Sequence, residues 1–502
     1  MHSNTSRRSF LQAAGAAVGA AAIASPSALA STQVANLGED AALLARAYGA
    51  LHPGLYRYNS PAQMDARFAA LHNSLSAPRS LSDTYLAFAR ITAAVRCGHS
   101  YPNFYNQTDA ITAALFDGRS RLPFLFRWIG ERMIVTRDLS GAGLEPGTEI
   151  HSIERIEAKR LLSSLMPFAR ADGHNDAKRR RILAVEGIDR FQAFDIYMPM
   201  LWPQLVSRGK VAVFATRPGR PPRRIDLALM TPAERLAAVP PIDTKPKDAA
   251  LWSLDRKPDG IACLTMPSWS VYNGSWDWRA WLEARLDEIA TDGTRGLIID
   301  LRGNEGGLDC GNPILARLIE REIAPVVNAR RVRARRVPDD IRPHVDTWNK
   351  QFYDWGGRAT GPRGDGFYDL ATSDDDANGG MTIRPAGKRF GGKVVVLTDA
   401  SNSSATFGFA QVVKSGRLAT LIGQTTGGNR RGINGGAFLF LRLPASGIEV
   451  DIPLIGYFPP GAQPDAGIVP DIVVEETPFD IAAGLDRTMS VAMRAAVGRD
   501  GS

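Results

Sequence analysis

Residues 296–307 read GLIIDLRGNEGG, a short apolar run that ends in a polar, glycine-rich turn. A run this apolar is typical of a strand that is covered on both faces, as in a parallel sheet. Residues 394–397 predict a second such strand, residues 404–415 a helix, and residues 418–422 a third strand. Because helices that alternate with strands join parallel strands, the C-terminal half is predicted to be an α/β domain with a mostly parallel sheet.

The same domain extends in both directions from that turn. Residues 261–264 predict a strand, and residues 275–290 predict a helix whose apolar positions form one stripe. Residues 328–388 interrupt the pattern with Arg, Asp, Gly and Pro and are predicted to be a long insertion. We place the domain at residues 251–480, followed by a C-terminal helix and tail at residues 481–502.

An N-terminal region, residues 31–118, is predicted to be helical. Ser60 and Gln63 form a capping box, and a second helix starts at Ser82. Gly98 is predicted to end that second helix in the left-handed conformation.

Residues 119–250 change to short strands, with a hairpin that turns at Gly130. Residues 142–150 resemble the Gly-Leu-x-x-Gly-x-x-Ile stretch of PDZ-like modules, and a plain turn between two strands is the alternative. Residues 240–247, with prolines and charges and no periodicity, predict a linker.

The composition is that of a globular protein. The chain has 502 residues, 44% apolar and 22% charged, and a formal net charge of +8. These values exclude a disordered or polytopic membrane protein, and the length suggests several domains. The small charge surplus does not indicate nucleic-acid binding, and the arginine-rich runs at residues 178–181 and 330–336 are interpreted as solvated surface.

Three widely spaced cysteines predict buried thiols rather than a disulfide framework.

The N-terminus has the pattern of a twin-arginine signal peptide. Arg7 and Arg8 precede a small apolar run at residues 13–24, and residues 28–30 form an A-x-A cleavage site. The run is too short for a spanning helix. Residues 1–30 are therefore predicted to be removed after export by the twin-arginine machinery to the periplasm or the medium, with no stable membrane insertion. A disordered basic tail is the alternative.

Three motifs, in this order, resemble the C-terminal-processing (tail-specific) serine peptidases. They are IDLRGNEGG at residues 299–307, VLTDASNSSA at residues 396–405 with IGQTTGG at residues 422–428, and DAGIVPD at residues 465–471. The resemblance is to the tricorn-like, interphotoreceptor-retinoid-binding-protein-like branch, which has no Ser-Lys dyad. It implies a crotonase-like ββα core and a peptide or protein substrate. No metal-ligand spacing or phosphate-binding loop occurs, so no metal and no cofactor are predicted.

By this resemblance Ser404 is the nucleophile, because Ser404-Ala405 matches the Ser-Ala step of the family. The N–H of Ala405 and one from Gly306 or Gly307 would form the oxyanion hole. The start of a helix also supplies free N–H groups and a partial positive charge. Alternatively, Ser404 only caps its helix, the glycines only form a turn, or Ser403 is the nucleophile.

The base is predicted to be His99. The lysine of the dyad branch is replaced by Asn429, and the two arginines that follow do not deprotonate usefully. Residues 97–100, CGHS, resemble the Asp-Gly-His-Thr segment that carries the base in the tricorn-like branch. A structural histidine is the alternative.

Asp465 is predicted to orient the base, since the branch places an acid just before the closing motif. The family position is commonly a Glu one residue earlier, which is Pro464 here, so a plain turn aspartate is the alternative. Ser100 is a further candidate to assist the base. Asp300 and Arg302 are predicted to support the glycine loop rather than react.

These observations predict an exported serine endopeptidase that works through an acyl-enzyme. Two other functions stay open at this point. One is a catalytically inactive peptide- or ligand-binding protein on the same fold, and the other is a hydrolase of non-peptide acyl groups.

Overall fold

The structure is a computed structural model that describes residues 33–241, 251–272, 274–324, 328–371 and 382–498. The predicted signal peptide and most of the predicted linker lie outside these residues.

The N-terminal region is helical, as predicted. Its elements are β1 (Gln33–Val34), α1 (Leu37–Leu51), α2 (Pro61–Ser74), β2 (Arg79–Ser80), α3 (Leu81–Ala94) and α4 (Asp109–Leu115). The capping box of Ser60 and Gln63 at the start of α2 is confirmed.

Both predicted ends of α3 were wrong. The N-cap is Ser80, whose hydroxyl accepts the N–H of Asp83. The helix ends at Ala94, and the left-handed residue is Arg96, with φ of 61°. Gly98 is needed for space instead, because a Cβ there would lie 2.9 Å from a carboxylate oxygen of Asp172.

A second region carries a sheet of short strands. Its elements are β3 (Phe124–Ile129), β4 (Arg132–Asp138), β5 (Glu149–Ile153), β6 (Ile156–Glu157), α5 (Ala158–Leu165), α6 (Asp176–Ile182), α7 (Ala193–Leu201), α8 (Pro203–Val206), β7 (Lys210–Thr216), β8 (Arg223–Ala228) and α9 (Pro232–Ala238). The antiparallel sheet has the order β3-β4-β5-β7-β8, with β6 paired to β5. Its first hairpin turns at Gly130, which has φ of 61°, as predicted.

The remaining residues form two more sheets and the helices that cover them. The elements are β9 (Ser253–Lys257), β10 (Ile261–Thr265), α10 (Trp278–Ile289), β11 (Gly296–Asp300), α11 (Asn312–Leu318), β12 (Ala329–Val332), β13 (Val345–Asp346), β14 (Ala359–Thr360), β15 (Tyr368–Leu370), β16 (Lys393–Thr398), α12 (Ser404–Gly416), β17 (Thr420–Gly423), β18 (Asn434–Arg442), β19 (Glu449–Phe458), β20 (Ile472–Val473), α13 (Pro478–Ala483) and α14 (Arg487–Ala496). Single 3₁₀ turns occur at Met166–Phe168, Pro258–Gly260, Arg342–His344, Lys350–Tyr353 and Gly356–Arg358.

The predicted parallel sheet is confirmed. Its strand order is β20-β17-β16-β11-β10-β9, and only β9 pairs antiparallel with its neighbour. All five residues of β11 are buried, as its apolar sequence predicts. Side chains of α10, α11 and α12 pack on one face and those of α14 on the other.

The third sheet includes most of the segment predicted as an insertion. Its order is β13-β18-β19-β12-β15-β14, so strands β12 to β15 belong to one sheet with the long hairpin β18–β19. Helix α1 packs on this sheet, where the hydroxyl of Tyr48 donates to the carbonyl of Asp451 at 3.0 Å. The third sheet therefore connects the N-terminal helices to the parallel sheet.

Within the described ranges, no helix is both long and apolar enough to cross a membrane. Cys97, Cys263 and Cys310 are buried free thiols, as predicted.

Candidate active site

Ser404 lies where strand β16 has ended and helix α12 begins. It is the first helical residue, and Ser403 occupies the N-cap position. The φ of Ser404 is 51°, a left-handed value that is uncommon outside glycine. A strained serine between a strand and a helix presents its hydroxyl at the edge of the sheet, as in other serine hydrolases.

The two neighbouring serines differ in what their hydroxyls contact. Ser403 is buried, and its hydroxyl donates to the carbonyl of Glu305 at 3.1 Å. Ser404 is partly exposed, and its hydroxyl has no hydrogen-bond partner among the described residues. Ser404 is therefore the serine that is free to react.

Two fully buried asparagines hold the serine loop against the glycine loop. Asn402 donates to the carbonyls of Leu301 at 2.6 Å and Asn304 at 3.1 Å. Asn304 donates in turn to the carbonyl of Met266 at 2.8 Å. Because a buried amide is costly without partners, these bonds fix how the two loops face each other.

The glycine loop meets Ser404 closely. A Cβ on Gly306 would lie 3.0 Å from the Ser404 Cβ and 3.0 Å from the Ala405 nitrogen. The N–H of Gly306 already donates to the side chain of Asn304 at 2.9 Å. In the described part of the chain, the N–H groups of Gly307 and Ala405 have no acceptor. Gly306 thus provides the close approach, and Gly307 and Ala405 have N–H groups free to bind an oxyanion.

His99 lies in a tight pocket outside this loop pair. Its ring packs on Phe438, with the centroids 5.7 Å apart, and its Nδ1 is buried without a hydrogen-bond partner in the residues described. Burial lowers the pKa of His99, while the nearby carboxylate of Asp172 opposes that change. The neutral imidazole is therefore favoured near pH 7, as a general base requires.

Contacts of Glu305 link the residue before Ser404 to the residue before His99. The carbonyl of Glu305 holds Ser403, and its carboxylate pairs with Arg170 at 3.4 Å. Arg170 donates to the carbonyl of Gly98 at 2.6 Å, directly before His99. Among the described residues no hydrogen bond joins the Ser404 hydroxyl to His99. Catalytic hydrogen bonds often form only when substrate is bound.

Asp465 does not contact His99, which differs from the prediction. Its carboxylate accepts the N–H of His174 at 3.0 Å, contacts the His174 ring, and accepts from Asn429 at 2.7 Å. Asn429, at the position of the dyad lysine, also donates to the carbonyl of Asp172 at 3.2 Å. Asp465 thus holds the segment that carries Asp172.

Asp172 is the carboxylate beside His99, and no sequence motif indicated it. It is 2% exposed and accepts the N–H of Gly98 at 2.9 Å. Its carboxylate, a ring nitrogen of His99 and the thiol of Cys97 lie within 4.8 Å of one another. The available signal was Cys97 itself, which stands where the tricorn-like branch often has an acid.

Ser100 belongs to a separate pair. The Nδ1 of His52 accepts the N–H of Gly54 at 3.1 Å, so its Nε2 carries the proton and donates to the hydroxyl of Ser100 at 2.8 Å. Burial lowers the pKa of His52 to about 3, which keeps this ring neutral.

Residues 260–474 match the model of Peptidase family S41. The match covers 215 of the 502 residues, and we call this part of the chain the S41 domain. The protein is accordingly a hydrolase of the serine peptidase class, with peptides or proteins as substrates. The match does not favour the alternative of a binding protein without turnover.

Solved structures of CPAF share the fold over nearly the whole chain. Mature CPAF complexed with lactacystin matches with a TM-score of 0.61 and 14% identity, covering 92% of this chain and 97% of that one. Mature CPAF alone gives 0.58 and 14%, with 93% and 98% covered. The photosystem II D1 C-terminal processing protease gives 0.41 and 14%, with 91% and 97% covered. None of the curated proteins compared with the chain matches it significantly.

The S41 domain holds the serine and glycine loops but not the histidine. Just before its glycine loop, Arg302 donates to Asp300 at 2.6 Å and to Asp486 at 2.8 Å. His99 and Asp172 come from the regions before residue 260. The candidate site is therefore complete only when those regions pack on the S41 domain.

Cys97, His99 and Asp172 are residue types that also bind metals. Burial raises the pKa of Cys97 to about 11, which keeps the thiol protonated near neutral pH.

Proposed function

We propose that the protein is an exported serine endopeptidase in which Ser404 is the nucleophile and His99 the base. The observation that carries the proposal is the free hydroxyl of Ser404 on a left-handed residue, beside two unoccupied backbone N–H groups. His99 takes the proton of Ser404 as the hydroxyl attacks the peptide carbonyl. The N–H groups of Gly307 and Ala405 bind the resulting oxyanion.

The second half of the reaction reverses the proton transfer. His99 gives its proton to the leaving amine, which leaves an ester between Ser404 and the acyl part of the substrate. Water then attacks that ester with His99 again as base, and the carboxylic acid departs. Asp172 orients the imidazole and stabilises its charged form, since it is the buried carboxylate within 4.8 Å.

The export part of the proposal rests on residues 1–30. The twin-arginine pair, the short apolar run and the A-x-A site support delivery to the periplasm or the medium. We also infer that residues 251–480 are a crotonase-like core and that residues 119–250 contain a PDZ-like module.

Labelling with a fluorophosphonate probe tests the nucleophile, because the probe reacts only with an activated serine. The wild-type protein and Ser403→Ala should be labelled and should cleave an unfolded protein substrate, whereas Ser404→Ala should do neither. Labelling of Ser404→Ala but not of Ser403→Ala would move the nucleophile to Ser403. A folded wild-type protein that binds peptide but is not labelled would favour the binding-protein alternative.

A further inference from the structure

A cavity of about 240 Å³ opens beside the proposed catalytic groups. Gly303, Glu305 and Ser401 line one side of it, and they belong to the two loops that position Ser404. Tyr101 and Arg170 line another side, where Arg170 stacks on Tyr101 at 4.5 Å and holds the segment of His99. The cavity thus lies between the loops that flank Ser404 and the segment that follows His99.

Aromatic side chains line one part of the cavity, and charged and polar side chains line much of the rest. Tyr105 and Phe191 meet edge to face at 5.1 Å, and Phe104 contacts both Phe191 and Tyr197. Rings arranged in this way bury the methylene groups of a long side chain and also attract a cation to their faces.

The cations near the cavity are already paired. Lys178 contacts Glu305 and donates to the carbonyl of Ser401 at 3.0 Å, and Arg170 pairs with the same Glu305. Burial alone would raise the pKa of Glu305, but the charges of Lys178 and Arg170 lower it to about 2. Arg181 is likewise shared between Glu186 and Asp399.

Asp189 is the acid of the cavity that lacks a partner. No hydrogen bond or ion pair reaches its carboxylate from any residue that the structure describes. It lies at the exposed rim, where a ligand can reach it. Desolvation and the charge of Glu305 raise the pKa of Asp189 to about 6, against the opposing effect of the nearby cations Arg170, Lys178 and Arg181, so Asp189 is ionised at pH 8.

We propose that this cavity binds a basic side chain of the peptide substrate, arginine or lysine, with Asp189 as its ionic partner. The proposal rests on the function assigned to Ser404, because it places this side chain next to the bond that is cleaved. An acidic side chain would face Asp189 and Glu305. A purely apolar one would pack on the rings but would make no ionic contact with Asp189.

Citrulline is the matched control ligand, because it has nearly the shape of arginine and no charge. Calorimetry at pH 8 on Ser404→Ala protein would compare acetyl-arginine amide with acetyl-citrulline amide, which tests the cavity without any turnover. We expect binding about tenfold tighter for arginine, a typical value for one charged hydrogen bond. In Asp189→Asn on the same background the two ligands should bind equally. Asp65→Asn, a change at an exposed aspartate of α2, should keep the preference.

Cleavage then tests where the cavity lies relative to the reacting bond. Peptides that differ only in arginine or citrulline should be cut after that residue, with kcat/KM about tenfold higher for arginine in the wild type and equal in Asp189→Asn. Equal binding of the two amides, or a preference that persists in Asp189→Asn, would overturn the proposal. Tight arginine binding to a protein that cleaves nothing would keep the cavity as a cation site and reject the peptidase function.

Discussion

The backbone N–H of Gly98 donates a 2.9 Å hydrogen bond to the carboxylate of Asp172. This bond joins the helical region to the strand-rich region directly before His99. It leaves the other oxygen of Asp172 close to where a Cβ of residue 98 would be, so glycine is required there. His99 and Asp172 therefore come to one place only when these two regions pack on each other.

Replacing Asp172 by asparagine should lower turnover and shift the pH profile. Asp172 raises the pKa of His99 against the effect of burial. Its removal should therefore move the acid limb of kcat/KM to lower pH, in addition to a loss of about 10²–10⁴ in kcat. Asp465→Asn should leave the acid limb in place, because Asp465 contacts His174 instead. A shift caused by Asp465→Asn and not by Asp172→Asn would restore the assignment made from the sequence.

Replacing His99 by alanine should lower kcat by about 10²–10⁴ while the protein stays folded. His174→Ala is the matched control, because His174 also lies beside an aspartate but is half exposed. It should reduce turnover far less. Equal, small losses in both variants, measured with the same peptide and with circular dichroism as a check of folding, would exclude His99 as the base.

The sequence predicted those parts of the site that lie in local patterns. The apolar run of β11 and the motif around Ser404 indicated a sheet edge with a serine and two glycines. Asp172 has no such pattern, because its only link to His99 is through tertiary contacts. The same holds for Asp465, whose motif position was visible but whose partner, His174, comes from a distant segment.

The fold outside the parallel sheet was harder to predict for a similar reason. Strands β12 to β15 are two to four residues long, and their arginines and aspartates hide any alternation of apolar residues. They are strands because each has a neighbour to pair with: β13 pairs with β18, β12 with β19, β15 with β12, and β14 with β15. Strand formation depends strongly on such neighbours. The end of α3 was missed because Arg96, not a glycine, adopts the left-handed conformation.

Replacing Gly306 by alanine should destabilise the protein and abolish activity. The residue has φ of 103°, and an added Cβ would lie 2.8 Å from the carbonyl oxygen of Ser403. We expect a loss of about 1–3 kcal/mol in the free energy of unfolding, measured by urea denaturation. Gly357→Ala is the control, since a Cβ there would have no neighbour within 4 Å. A stable, active Gly306→Ala protein would contradict the close packing of the two loops.

Acid should weaken the contact between the glycine loop and helix α6. The pKa of Glu305 is held at about 2, below its ordinary value of 4.5, by Lys178 and Arg170. A carboxylate with a lowered pKa stabilises the fold above pH 4.5, and that contribution is lost as the pH falls towards 2. The stability of Glu305→Gln should therefore fall less steeply than that of the wild type over this window. Parallel pH profiles of the two proteins in urea titrations would show that the ion pairs do not contribute.

Export by the twin-arginine route predicts a specific effect of a conservative change. Arg7→Lys with Arg8→Lys keeps the charge of the signal, but the twin-arginine receptor reads the arginine pair itself. The precursor should therefore remain in the cytoplasm, uncleaved at residues 28–30, as cell fractionation with an antibody to the C-terminal region would show. A variant with Arg46→Lys, in helix α1 of the folded region, should be exported normally.

If the double-lysine precursor reaches the periplasm at the wild-type rate, the ordinary secretory pathway carries the chain, and the chain crosses the membrane unfolded. Since His99, Asp172 and Ser404 come from three separate regions, the active site would then have to assemble after export rather than before it.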